Sequence, residues 1–205
     1  LTLAQARLAG IVAKQQRLFA AVSDDKAPDV KELTRKIQGL VADYESYLAD
    51  NPKDLTALIL YGKFLRGVDQ PGPATGMFIK ADKIDPGVAV VKQQIANYLA
   101  EEGRIAEALP YLLRAVELSP KTAVYHNQLG TFLFLFSDEL IRLGITTQSS
   151  NDRNMLIAFG EAAKLEPENI EYQLRYAQSF FDVSKPEWAE ALRVWQKLSI
   201  RGHRS

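Results

Sequence analysis

An all-α solenoid of about five antiparallel helix pairs is the fold class this sequence predicts, and three observations predict it. Pro52, Pro86 and Pro120 stand 34 residues apart, each closing an apolar helical run. A fixed period of this length marks helix-turn-helix units that bury their faces only against their neighbours. Apolar residues recur at three- and four-residue steps nearly throughout, and alternating strand patterns are absent. Hydrophobic residues make up 47% of the 205-residue chain, which argues for a packed chain and against a disordered one.

The elements follow in order. The first pair is expected over roughly 2–22 and 28–50, broken at Ser23-Asp24-Asp25 and reopened at Ala27-Pro28. The second spans roughly 54–68 and 73–84, split by Asp69-Gln70-Pro71-Gly72-Pro73. The third runs over about 88–102 and 105–118, with Gly103 as the stop of its first helix. The fourth is expected at about 122–143 and 152–165, and the fifth at about 169–183 and 186–199. In domain terms, 1–52 is a divergent first repeat or an N-terminal capping hairpin. Repeats follow at 53–86, 87–120, 121–167 and 168–199, and 200–205 is a fraying tail that holds His203.

Counting back from each proline aligns the units. Gly62, Leu65, Ala74, Phe78, Ala81 and Pro86 of the second match Ala96, Leu99, Ala108, Leu112, Ala115 and Pro120 of the third. Leu129, Gly130 and Leu133 open the fourth, and Phe159, Ala162 and Pro167 close it. Small residues at Gly62, Ala96, Gly130 and Ala177 allow two helices to approach closely. On these residues the chain resembles the tetratricopeptide repeat family over about 53–198. The resemblance implies a right-handed superhelix whose concave wall is built by the first helix of each pair.

Two departures stand out. The fourth proline spacing is 47 residues (Pro120 to Pro167), 13 more than the period. This insertion near 140–153 is expected to be a surface loop over Gly144–Arg153, with Asn151 or Asp152 as N-cap of the next helix. Shortening Ile145–Ser150 is expected to change little. Its functional reading is a specificity loop beside the groove. The fifth unit needs about two further residues near Val183–Pro186 to keep register.

Composition excludes several functions. Lys plus Arg and Asp plus Glu are 25 each, with no basic stripe to neutralise phosphates, so nucleic acid is not an expected partner. The most apolar stretch, Thr131–Phe136, is too short to cross a bilayer, so no membrane insertion is expected. The chain has no cysteine, which rules out disulfides and thiolate chemistry and leaves the compartment open. An opening Leu1-Thr2-Leu3 without Met leaves room for a lost signal peptide or anchor.

Catalytic, metal and cofactor sites are not expected. His126 reads as a half-buried structural histidine. The neighbouring carboxylates Asp24-Asp25, Glu101-Glu102 and Asp138-Glu139 point about 100° apart on a helix and cannot form an acid/base couple. Trp188 and Trp195 read as core packing on the last helix.

Protein binding is the function that the resemblance implies, with groove residues on successive first helices. Those expected to meet a peptide or helix of a protein partner are Lys63, Arg66, Asn97, Asn127, Thr131, Phe134, Leu174 and Phe181. Amides suit the backbone of an extended peptide, and apolar positions suit its side chains. Phe134 and Phe181, beside Leu174, form an exposed apolar patch unless the lengthened fourth unit turns them inward. The clamp for chaperone tails found in some family members is not expected, since only Asn97 and Arg175 fit its pattern. The rival reading is a tethering or self-associating segment, with a homodimer through the last helix pair.

Overall fold

The computed structural model describes residues 2–23 and 29–202; the first inter-helix break at residues 24–28 and the tail with His203 lie outside them. Every regular element among the described residues is a helix. The chain divides into two compact units, Leu1–Gly87 and Val88–Ser205.

The first unit holds α1 (Leu3–Ser23), α2 (Val30–Asp50), α3 (Leu55–Gly67) and α4 (Pro71–Ile84). Helix α1 packs on α2 and α3, and α3 packs on α4. Tyr44 of α2 stacks on Tyr61 and Phe64 of α3 at 4.9 and 5.9 Å between ring centroids. The Tyr47 hydroxyl donates to Asp54 Oδ2 at 2.6 Å, while Asp54 Oδ1 caps α3 by accepting from the Ala57 amide. One carboxylate thus starts α3 and ties it to α2.

The second unit holds α5 (Ala89–Glu101), α6 (Ile105–Leu118), α7 (Ala123–Leu135), α8 (Ser137–Arg142), α9 (Gln148–Leu165), α10 (Ile170–Ser179) and α11 (Trp188–Gly202). The pairs are α5 with α6, α7 with α9, and α10 with α11; α6 also packs on α7, and α9 on α10.

The proline period acts through the residue that precedes it. Asn51, Asp85, Ser119 and Glu166 are the C-caps of α2, α4, α6 and α9, with φ between −124° and −140° and ψ between 60° and 102°. The following proline ring disfavours helical backbone at that residue, so each helix stops there. First helices stop differently. After α3, α5 and α8 the chain turns through positive φ at Asp69 (59°), Gly103 (72°) and Gly144 (69°). Each time the next amide reaches back across the turn: Gln70 to the Leu65 carbonyl, Arg104 to Leu99, Ile145 to Leu140, all within 2.8–3.0 Å. This closure satisfies the last carbonyls of a helix and favours glycine. Pro71 then opens α4 at a position where a missing amide hydrogen costs nothing.

The small positions sit where helices touch. A Cβ placed on Gly62 would lie 2.8 Å from two ring atoms of Phe78, and one on Gly130 would lie 2.8 Å from two ring atoms of Phe159. Where the repeat carries Leu112 in place of the ring, it also carries Ala96 in place of the glycine.

The fourth unit departs from expectation. The helix expected over 122–143 is broken at Phe136 into α7 and α8. Asn151 Nδ2 donates to the Leu133 carbonyl at 2.9 Å and to Ser137 Oγ at 3.0 Å. In a continuous helix that carbonyl would accept from the Ser137 amide, so the inserted side chain is the physical cause of the break. The expected surface loop is correspondingly short. Thr147, not Asn151 or Asp152, caps α9 by accepting from the Ser150 amide, and residues 148–153 are helical. Asn151 and Asp152 are buried within that helix. Ile145–Ser150 therefore includes a cap and a first turn, which corrects the expectation of a surface loop over Gly144–Arg153.

Candidate partner-binding site

Helices α5 and α7 place three of the expected residues around one cleft. Asn97, from α5, meets Asn127 and Thr131, from α7, around a cavity of about 440 Å³ whose apolar lining includes Leu112, Phe132 and Phe136. Asn127 and Thr131 share a helix face because they are one turn apart. Thr131 Oγ1 is spoken for, donating to the Asn127 carbonyl at 2.9 Å. The Asn97 and Asn127 amides are half-buried and carry no hydrogen bond to another described residue. Gln128 Oε1, at the same cleft, is buried without a partner. The cleft thus offers unpaired amide donors and acceptors beside apolar surface.

The remaining expected residues are placed differently. Lys63 is exposed on α3 and Arg66 is half-buried in its last turn, both in the first unit. Phe134 is 40% exposed, as is Leu174. The Arg175 guanidinium lies 4.4 Å from the Phe134 ring centroid and 4.3 Å from that of Phe159, and its Nη1 pairs with Asp182 at 2.8 Å. Phe134 is thus one wall of a cation–π sandwich, a contact that electrostatics favours over a bare apolar patch. Phe181 does not lie on a helix: α10 ends at Ser179, and Phe181 sits in the turn after it. It is 61% exposed and touches Trp188 and Trp195 at 5.6 and 6.2 Å. Trp188 is itself 58% exposed, which corrects its reading as core; the core of this hairpin is Ala177, Phe180, Ala191 and Val194, with Trp195 partly buried against it. The two phenylalanines therefore belong to two separate clusters.

His126 matches its expected structural role, buried and 2.8 Å from the Pro120 carbonyl. Among the described residues no cluster of His, Asp or Glu is arranged to hold a metal ion, and no helix is long and apolar enough to cross a membrane.

Sequence reasoning missed a polar clasp. Asp152 Oδ2 accepts from the Ser184 amide at 2.8 Å and from its hydroxyl at 2.6 Å, and Oδ1 accepts from Gln148 Nε2 at 2.7 Å. Both departures from the repeat, near 140–153 and near 183–186, meet in this contact. Their coincidence in two consecutive units was the only signal in the sequence.

No protein-family model and no curated protein matches the chain. Solved structures do. MamA from Desulfovibrio magneticus RS-1, from residue 41 to its end, aligns with a TM-score of 0.67 at 16% identity, covering 97% of each chain. A crystal structure of MamA aligns with a TM-score of 0.64 at 16% identity, over 86% of this chain and 96% of that one. An O-GlcNAc transferase from Thermobaculum terrenum aligns with a TM-score of 0.55 at 19% identity, over 80% of this chain and 27% of that one. The chain has the all-α, tetratricopeptide-like helical-repeat fold that its 34-residue period predicts.

Proposed function

We propose that this chain is a non-catalytic protein-interaction module that holds an extended peptide of a partner in the cleft between α5 and α7. The observation that carries this reading is the pair of unengaged amides, Asn97 and Asn127, beside an apolar lining. Each amide offers a donor pair and an acceptor, the complement of a peptide backbone. Leu135 and Phe136, the accessible apolar side chains of the lining, take the peptide's side chains. The cleft stands on packed helices, so little ordering cost falls on the module when it binds. Lys63 and Arg66 supply a cationic face on the first unit in the same reading.

A displayed peptide library, selected on the immobilised protein, tests it. Enriched peptides should lose roughly 0.5–1.5 kcal/mol of binding on Asn127→Ala and bind poorly to Thr131→Trp, which fills the cleft. Peptides that bind both variants as well as the parent protein would refute the site.

A second reading, self-association through the last helix pair, is favoured by the contact between the exposed Phe181 and Trp188. Leu192, one turn beyond Trp188, is also exposed. Sedimentation across a concentration series decides it: a constant monomer mass removes it.

A further inference from the structure

The amide cleft between α5 and α7 is electrostatically one-sided. Among the described residues that line it, Glu101 alone carries a charge, and no cation stands with it. Helix α7 contributes no Asp, Glu, Lys or Arg anywhere along Ala123–Leu135. The cations of the neighbouring chain are occupied elsewhere. The Lys92 ammonium, earlier on α5, lies 5.5 Å from the Tyr111 ring centroid. Arg104, three residues past Glu101, is gripped by both carboxylate oxygens of Glu107 at 2.8 and 2.6 Å.

Glu101 also sits where its own helix disfavours it. It is the last residue of α5, Glu102 is the C-cap, and the last turn holds no basic residue. A helix C-terminus carries roughly half a negative charge, so it favours cations and repels a carboxylate. Helices α3, α4, α8 and α9 obey that rule, with Arg66, Lys83, Arg142 and Lys164 in their last turns; α5 reverses it at the mouth of the cleft. A second group there calls for the same complement. Gln128 Oε1 is buried and accepts from no donor, a costly state for an amide oxygen. The terminal torsion of a glutamine is soft, so a small rotation presents that oxygen to an entering donor. A carboxylate, the negative end of a helix and an orphaned acceptor thus converge beside the half-buried Phe136 ring.

Resting on the peptide site described above, we propose that the peptide held in this cleft carries an arginine, which seats beside Glu101 and Gln128. A guanidinium is always charged and offers five N–H donors in a planar fork. Two parallel donors go to the carboxylate and leave others for the amide oxygen, and the plane stacks on an aromatic face such as that of Phe136. An ammonium supplies the charge without the fork. Asn97 and Glu101 are one turn apart and share a face of α5, so the arginine enters next to the backbone that Asn97 and Asn127 hold. Charge complementarity of this kind selects the partner more than it raises affinity.

A displayed library of random peptides, selected on the full chain, supplies the probes; those that fail to bind Thr131→Trp are the ones that use the cleft. These should share an arginine. Fluorescence anisotropy on labelled synthetic copies should show a loss of about tenfold when that arginine becomes Gln, and a smaller loss when it becomes Lys. Glu101→Gln should weaken the arginine peptide by about tenfold and leave the copy with Gln unchanged, a coupling that a general structural effect does not produce. Glu101 is exposed and glutamine forms helix as well as glutamate, so the variant should fold; thermal melts check it. Cleft peptides that share a lysine, an acidic residue or no charge would overturn the proposal while leaving the cleft as a peptide site. So would equal effects of Glu101→Gln on the two copies. If no selected peptide is lost on Thr131→Trp, the cleft is not the peptide site and the proposal falls with it.

Discussion

Replacing Gly62 with alanine should destabilise the chain, although alanine is the better helix former. The added Cβ would sit 2.8 Å from two atoms of the Phe78 ring and 3.1 Å from a third. Carbon atoms in contact rest at about 3.5–4.0 Å, so either the helices or the ring must yield by roughly 1 Å. Phe78 is buried, and such overpacking costs about 1–3 kcal/mol. Helix propensity returns about 0.8–1.0 kcal/mol of that. Gly76 supplies the internal reference: it lies in α4 of the same unit, and a Cβ there meets nothing within 4 Å. Gly76→Ala should therefore stabilise by about 1 kcal/mol, and the difference between the two variants is the strain itself. The repeat indicates a rescue, since Ala96 and Leu112 occupy the equivalent places. Gly62→Ala combined with Phe78→Leu should show a favourable coupling of about 1–2 kcal/mol. At Gly130 the strain should be larger, because Phe159 also carries the Arg175 guanidinium and cannot shift alone. Urea unfolding followed by helical circular dichroism measures Gly62→Ala, Gly76→Ala, Gly130→Ala, Phe78→Leu and the double variant. If Gly62→Ala and Gly76→Ala stabilise equally, the close-approach argument fails.

Three further changes test other parts of the fold. Asp69→Gly relieves a positive φ that aspartate holds at the end of α3 and should raise stability by about 0.5–1 kcal/mol; a loss in the same unfolding experiment would mean that the Asp69 side chain has a role of its own. Removing Ile145–Ser150 deletes the Thr147 cap and the first turn of α9, so it should cost at least about 2 kcal/mol, and an unchanged melt would restore the free-loop reading. Tyr44 and Tyr61, by burial, and Tyr47, first by its hydrogen bond to Asp54, have pKa values pushed up to about 12. The native state then holds protons that the unfolded chain releases near 10, so this stability is complete below pH 10 and lost as pH rises toward 12. Phenolate absorbance should show a late-titrating class that vanishes in urea; a single native transition near 10 would refute the assignment.

The repeat was legible because its signals are local. A proline acts on the residue before it, a glycine on its own turn, and a small residue on the one helix it faces, so spacing alone places them. The fourth unit was illegible for the opposite reason. Asn151 and Asp152 are residue types that favour caps and loops, and their neighbours Ser149 and Ser150 strengthen that impression. Their partners, the Leu133 carbonyl and Ser184, lie 18 and 32 residues away. A tertiary hydrogen bond outweighed the local preference, and no window of sequence contains both ends of it. The candidate site divides in the same way. Asn127 and Thr131 share a face by helical spacing, whereas the Arg175 stack between Phe134 and Phe159 draws on three helices.

The Asp152 clasp also bears on how the chain can be taken apart. In an ideal array each repeat is an exchangeable block, and stability is a sum of block energies and neighbour interfaces. Here the extra residues of one block hold the extra residues of the next through a buried carboxylate. Excising, swapping or regularising either block alone would strand that carboxylate or leave Ser184 without its anchor. The last two repeats therefore form a single engineering unit: a consensus redesign must remove both insertions or neither.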